Sequence, residues 1–267
     1  MENAGIHAGN DTIRGLKRTL YRAARNLRHP RRLVEARRIR GGVAGFLGGD
    51  AVLRGYEREL EASGLRDHLL EKGREHAAAV GGSGHSLGAI GYAEGGYLYA
   101  IYRHLRPAVA VETGVANGFS TAFALLALER NGDGRLHSVD LPREVGREYE
   151  AGTFYEGEGR AGIPSGSGPG WLIPAELKER WTLVLGRTQD ELPPLLDRLG
   201  TIDSFMHDSE HSFDCMWFEF NEAWPHLREG GVLLSDDVNS TEAFGRFSRE
   251  QGRPAVRLAR GMALLQK

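Results

Sequence analysis

The chain of 267 residues is 40% hydrophobic and 26% charged, with a formal net charge of −2. No apolar run is long enough to span a bilayer, and a lone cysteine, Cys215, excludes an internal disulfide and any multi-cysteine zinc or iron–sulfur centre. The start, Met1 to Asn10, lacks the basic residues and apolar stretch of a secretory signal, so a cytoplasmic protein is expected.

Charge is unevenly spread along the chain. Residues 14–40 carry eleven Arg and Lys against the single acid Glu35. Residues 11–40 read as a basic amphipathic helix or helix pair, with Ile13, Leu16, Leu20 and Leu27 on one face and Arg14, Arg18, Arg22 and Arg25 on another, until Pro30 interrupts. Such a face can lie on an anionic membrane or on nucleic acid. A solvated face on a packing or dimerising helix is the plainer account, and it makes a homo-oligomer through these helices the expected assembly. Gly41 to Gly49 reads as a flexible joint, Val52 to Val80 as one or two helices, and Gly81 to Gly84 as a second joint. Tyr97, Leu98, Ile101, Tyr102 and Leu105 then follow helical spacing. Residues 1–105 are thus expected to form a helical extension or lid.

From Pro107 short apolar runs alternate with helical segments, the pattern of a parallel sheet flanked by helices. The strands predicted are 108–112, 136–140, 182–185, 204–207 and 231–234. Two last runs, 255–259 and 262–265, are separated only by Arg260-Gly261. So short a link permits a hairpin and forbids a crossover, so the last strand should run antiparallel. Residues 106–267 are therefore read as one α/β domain. The segment between its second and third strands, 143–181, is unusually long and dense in glycine from Gly152 to Gly170, as functional covers or disordered loops are. Cys215 lies among Phe213, Met216 and Trp217 and is expected to be a buried structural thiol. Phe213, Met216, Trp217, Phe220, Trp224 and Leu227 form a core-packing stripe.

The first strand leads into Glu112-Thr113-Gly114-Val115-Ala116-Asn117-Gly118-Phe119-Ser120-Thr121. Gly114 and Gly118 allow a tight turn and close approach to a ligand, and the helix that follows offers free N–H groups and the Ser120 or Thr121 hydroxyls. Asp140 ends the second strand, where a carboxylate can accept from both ribose hydroxyls of a nucleoside ligand. That arrangement suits NAD as well. The spacing E-x-G-x-x-x-G differs from the G-x-G-x-x-G that cradles a pyrophosphate, and Glu112 suits a sulfonium and ammonium better than a dinucleotide.

Five parallel strands with a terminal antiparallel hairpin resemble the class I S-adenosylmethionine (SAM)-dependent methyltransferase fold, a Rossmann-like sheet. The run Leu183-Val184-Leu185-Gly186-Arg187-Thr188-Gln189-Asp190 is similar to the catechol O-methyltransferase segment after the third strand. The resemblance implies that Thr188 and Gln189 contact the adenine. It extends from about Val109 to the carboxyl terminus, apart from the glycine-rich insertion.

The fourth and fifth strands end in Phe205-Met206-His207-Asp208-Ser209-Glu210-His211 and Leu233-Leu234-Ser235-Asp236-Asp237. Adjacent strand ends would bring three carboxylates together, a costly clustering that a hard cation such as Mg²⁺ relieves. Asp208, Asp236 and Asp237 match the ligand positions of the metal-dependent O-methyltransferases, with Asp237 where the catechol-type enzymes have Asn. Asp208 is also placed to serve the cofactor's ammonium. Three residues past Asp208, where those enzymes carry a lysine base, this chain has His211. A similar Asp-x-x-His occurs in antibiotic sugar O-methyltransferases. His211 fits a general base, a metal ligand or a cap of the helix near Ser212; His207, inside its strand, reads as a satisfied core residue.

The expectation is a divalent-metal-dependent, SAM-dependent O-methyltransferase acting on a small-molecule hydroxyl, with a sugar or glycosylated natural product favoured. Tyr92, Tyr155 and Trp171 are available to stack on a ring. Two rival readings are a nicotinamide-dependent oxidoreductase and a nonenzymatic nucleoside-binding domain with a basic docking arm.

Overall fold

The computed structural model describes residues 30–79, 90–144 and 162–267. The basic stretch 11–29, the joint 81–84, Tyr155 and residues 145–161 of the insertion lie outside the described residues. The chain divides into two units between Gly41 and Gly42.

Helix α1, Pro30–Phe46, begins on a proline, whose fixed φ suits a first helical turn. The stretch read as a flexible joint is different in the structure: α1 continues through Gly41, Gly42 and Gly45, and the chain turns only at Gly48 and Gly49, where φ is 86° and 138°. Each helical glycine costs about 1 kcal/mol relative to alanine, and the complete burial of Val43 offsets that cost. The predicted helical region after it resolves into α2, Asp50–Glu61, and α3, Leu65–Ala79. Helix α4, Tyr92–Leu105, falls where the spacing placed it.

The sheet then begins with β1, Val109–Thr113, followed by α5, Phe119–Asn131, and β2, Arg135–Asp140. A 3-10 turn, Ala175–Arg180, leads into β3, Trp181–Leu185. Next come α6, Thr188–Leu199; β4, Ile202–His207; α7, Phe213–His226; and β5, Leu227–Ser235. The chain ends with α8, Ala243–Glu250, β6, Val256–Arg257, and β7, Ala263–Gln266. The order across the sheet is β3-β2-β1-β4-β5-β7-β6. Strands β1 to β5 pair in parallel, whereas β7 runs antiparallel to both β5 and β6. The expected terminal reversal is therefore present.

The two faces of the sheet are covered by different helices because side chains alternate along each strand. On one face Glu112 bonds Thr121 of α5, and Ser204 donates to the Tyr102 hydroxyl of α4 at 3.2 Å. On the other, Val111, Phe205 and Leu233 join Leu192, Met216, Phe220, Phe244 and Phe247 from α6, α7 and α8 in one buried cluster. The α7 stripe is core as expected: Phe220 is fully buried, while Phe213, Trp217 and Trp224 pack against the cluster's margin. Each such aromatic stabilises by roughly 1.5–3 kcal/mol when fully buried. The sheet's carboxyl edge, where β1, β2, β4 and β5 all end, is left to carry chemistry.

No helix among the described residues is long and apolar enough to cross a membrane.

Candidate active site

The turn after β1 is built on left-handed backbone. Gly114 and Gly118 have φ of 83° and 85°, and Ala116, with a Cβ to accommodate, has φ of 45°. A Cβ on Gly114 would lie 2.0 Å from the Asp208 carbonyl oxygen, so only glycine lets the turn after β1 touch the turn after β4. Asp140 grips the turn from β2: its Oδ1 accepts from the N–H of Val115 at 2.9 Å and of Ala116 at 3.4 Å. Its Oδ2 is buried and has no partner among the described residues. Burial pushes the Asp140 carboxyl above the usual range, against the pull of those two N–H groups. An acceptor oxygen held bare at the end of β2 fits a ribose hydroxyl. The residues thus fit the adenosyl cofactor that the sequence implied, with Ser120 buried in the first turn of α5 behind Gly118.

Glu112 is placed behind the turn. It is 1% exposed, and one carboxyl oxygen accepts from Ser138 at 2.6 Å and Thr121 at 2.9 Å. Burial pushes this carboxyl up to about 8, despite the two hydroxyl donors that lower it, so it carries a proton at neutral pH. It therefore stitches β1, β2 and α5 together. Its ordinary value is 4.5, so between 4.5 and about 8 the folded chain holds a proton that the unfolded chain has lost, and stability falls as pH rises through that window. Glu112→Gln, which keeps the accepting oxygen and cannot ionise, is expected to melt above the wild type at pH 8.5. That lead should vanish toward pH 4.5; melting curves that differ by the same amount at every pH would refute the assignment.

After β3, Thr188 and Gln189 open α6. Thr188 is buried with its hydroxyl 3.7 Å from the Cys215 sulfur, and Gln189 is half-buried. Of the two residues matched to an adenine contact, Thr188 is thus turned to the core side. Cys215 is 3% exposed, and burial with the nearby Glu219 pushes its thiol up to about 12, as an inert structural thiol requires.

The four predicted groups at the ends of β4 and β5 share the sheet's edge, and His211 lies against two of the acids. Backbone bonds from Asp208 N–H to Thr113 O (2.8 Å) and from Asp236 N–H to His207 O (2.9 Å) staple the three strand ends side by side. His211 stands between two acids, Nδ1 at 3.0 Å from Asp237 and Nε2 at 3.7 Å from Asp208. Ser212, not His211, caps α7, accepting from the Cys215 N–H at 3.2 Å. Burial opposes protonation of His211, but Asp208, Asp237 and Asp236 outweigh it and hold its pKa above the ordinary value. Burial, then repulsion from Asp208, pushes Asp236 up to about 6, and burial raises Asp208 as well. Asp237 takes a left-handed backbone, with φ of 47°. Among the described residues no three His, Cys, Asp or Glu side chains are gathered as a metal ion needs. The acids share an edge and carry the oxygen donors a hard cation prefers, but His211 occupies the space between Asp208 and Asp237.

Beneath this edge is a residue that the sequence reading missed. Glu219, fully buried on α7, accepts from Thr113 (2.5 Å), His207 (2.6 Å), Ser209 (2.6 Å) and the Cys215 thiol (3.4 Å). Burial disfavours its charge, yet these donors, His207 foremost, hold its pKa below the usual range. Asp208 is thereby pinned through both its neighbours. The available signal was an acid between Met216 and Phe220 on an apolar helix face. His207, read as a satisfied core histidine, is bonded at Nδ1, while its Nε2 is buried without a partner among the described residues.

A family model described as a methyltransferase domain matches residues 111–238. The fold is similar to that of cofactor-bound Rv0187 from MTB, at 18% identity and a TM-score of 0.51, with 72% of this chain and 88% of that one covered. It is also similar to the SAH-bound methyltransferase PaMTH1 of Podospora anserina, at 13% identity and a TM-score of 0.50, with 76% and 87% covered. No curated protein matches the sequence. The matched segment runs from the Val111–Gly118 turn through Asp140 and Asp208 to the Asp236-Asp237 pair, so the groups at the sheet's edge all lie within the stretch that is similar to a methyltransferase domain.

Proposed function

We propose that the chain transfers the methyl group of SAM to a hydroxyl oxygen of a small molecule, and that a sugar or glycosylated natural product is the acceptor class. The observation that carries this reading is the contact of the two turns: Gly114 abuts the Asp208 carbonyl so closely that a Cβ has no room. It sets the cofactor side, Gly114 and Asp140, directly beside the acid–histidine side, Asp208, His211, Asp236 and Asp237.

In this reading the Asp140 Oδ2 accepts from the cofactor's ribose. His211 takes the acceptor's hydroxyl proton on a ring nitrogen as the oxygen attacks the methyl carbon. The O–C bond forms as the S–C bond breaks; the sulfonium leaves as the neutral thioether of S-adenosylhomocysteine (SAH), and the proton stays on His211. Asp208 and Asp237, on either side of the ring, stabilise the imidazolium. A divalent cation belongs to the proposal: Asp208, Asp236 and Asp237 would hold it, and it would supply a positive charge that relieves their crowding and acidifies the hydroxyl.

The test is SAH formation from SAM over a panel of catechols, glycosides and free sugars, with Mg²⁺ or with EDTA. Turnover with a hydroxylated acceptor that EDTA suppresses and Mg²⁺ restores is expected. Turnover indifferent to EDTA would remove the cation and keep the transfer; tight NADH binding with no SAH formed would remove both.

A further inference from the structure

We propose that Trp171, acting with Asn117, is a positioning residue of the cofactor site: residues 162–173 form a strap that clamps the glycine-rich turn, and the indole N–H closes the clamp. The proposal rests on the reading of that turn as the SAM cradle.

The turn needs a clamp. Three of its five residues, Gly114, Ala116 and Gly118, are left-handed, and for Ala116 that conformation costs roughly 1–2 kcal/mol. Asp140 holds only one side of it, through the N–H groups of Val115 and Ala116. The carbonyl side is held by the strap. Gly170 N–H donates to Ala116 O at 2.9 Å, and Leu172 N–H to Asn117 O at 3.0 Å. The Trp171 indole N–H donates to Asn117 Oδ1 at 2.5 Å, and the Asn117 amide donates to Gly162 O at 3.2 Å. Asn117 is 1% exposed, so an Oδ1 deprived of the indole would be buried without that donor.

The fit is close and specific. A Cβ on Gly118 would come within 2.7 Å of the Gly170 Cα, and a Cβ on Gly170 within 2.4 Å of the Trp181 ring. Two glycines therefore face each other across the joint. On its outer side the strap leans on α3: the Trp171 ring stacks on His76, centroids 6.1 Å apart and planes at 15°, and His68 Nε2 lies 2.8 Å from Leu172 O. The order of contact is α3, strap, turn, Asp140. Ala116, held between strap and carboxylate, keeps the geometry in which Asp140 Oδ2 is buried with no partner among the described residues.

The test uses the full chain and SAH as the probe. Trp171→Phe keeps a ring against His76 and deletes the N–H. By calorimetry its SAH affinity is expected to fall roughly 10-fold, the size of one buried hydrogen bond, and Asn117→Ala, which also deletes the bond to Gly162 O, should fall at least as far. The double variant should be no weaker than Asn117→Ala alone, because the indole bond is already lost there. Trp224→Phe, which removes an indole from the opposite face, should bind SAH as the wild type does even at an equal loss of Tm. A ligand-free arm measures amide exchange in the peptide covering 111–121, which Trp171→Phe should accelerate. Wild-type SAH binding with an unchanged Trp171→Phe affinity would overturn the proposal, as would unchanged exchange in that peptide. A wild type that binds no SAH would instead overturn the cradle reading, with the exchange arm still deciding the clamp.

Discussion

Asp140→Ala is expected to weaken SAH binding by about 100-fold or more, read by calorimetry. The side chain does two things at once, and alanine abolishes both. Oδ1 takes the N–H groups of Val115 and Ala116, and Oδ2 stands buried, unpartnered among the described residues, where a ribose hydroxyl would donate. A hydrogen bond to a charged acceptor contributes about 1.5–3 kcal/mol, or roughly 10- to 100-fold, and the turn loses its grip besides. Asp140→Asn separates the two contributions. Its amide oxygen can keep the turn while the amide nitrogen faces the ribose, so the expected loss is nearer 10-fold. An Asp140→Ala protein that binds SAH within two-fold of the wild type would show that the cofactor lies elsewhere.

How far this site was legible in the sequence depended on what kind of signal each residue leaves. Gly114, Gly118 and Asp140 were readable because they sit at fixed offsets from strands that periodicity reveals, and the strand ends are where an α/β sheet binds ligands. The same logic placed Asp208, His211, Asp236 and Asp237 on one edge, and the Arg260-Gly261 link was too short for anything except the antiparallel β7. Glu112 shows the limit. Its position was right, but the direction of its side chain follows from pleat parity and from Ser138 and Thr121 on other elements, so a charge imagined beside the cofactor is a protonated carboxyl in the core. The joint assigned to Gly41–Gly49 failed over Gly41–Phe46 because glycine content was weighed as flexibility, whereas the helix runs on to Phe46 with Val43 fully buried in it. The partners of Glu219 and the Asn117–Trp171 bond left no periodic trace. These partners lie 106 and 54 residues away, for Thr113 and Trp171 respectively, and only tertiary structure brings such pairs together.

The second large effect is expected at His211. If it accepts the hydroxyl proton, His211→Gln should lower turnover with the best acceptor by about 10²- to 10⁴-fold, the usual contribution of a positioned acid or base. SAH affinity should stay within two-fold, because His211 contacts Asp208 and Asp237 and neither side of the Asp140 grip. Asp237→Asn is expected to cost less than His211→Gln. It keeps an acceptor at 3.0 Å from Nδ1 and removes only the charge that stabilises the imidazolium. Asp208→Asn discriminates between the two services the edge could perform. If Asp208 only supports the imidazole, its effect should be comparable to that of Asp237→Asn and independent of added cation. If it holds a cation, turnover should collapse and the concentration of Mg²⁺ needed to restore the wild-type enzyme after EDTA should no longer suffice. A His211→Gln enzyme with undiminished turnover would move the proton acceptor off this residue. The nearest remaining candidates would then be the carboxylates of Asp236, already raised to about 6 by burial and Asp208, and of Asp208 itself.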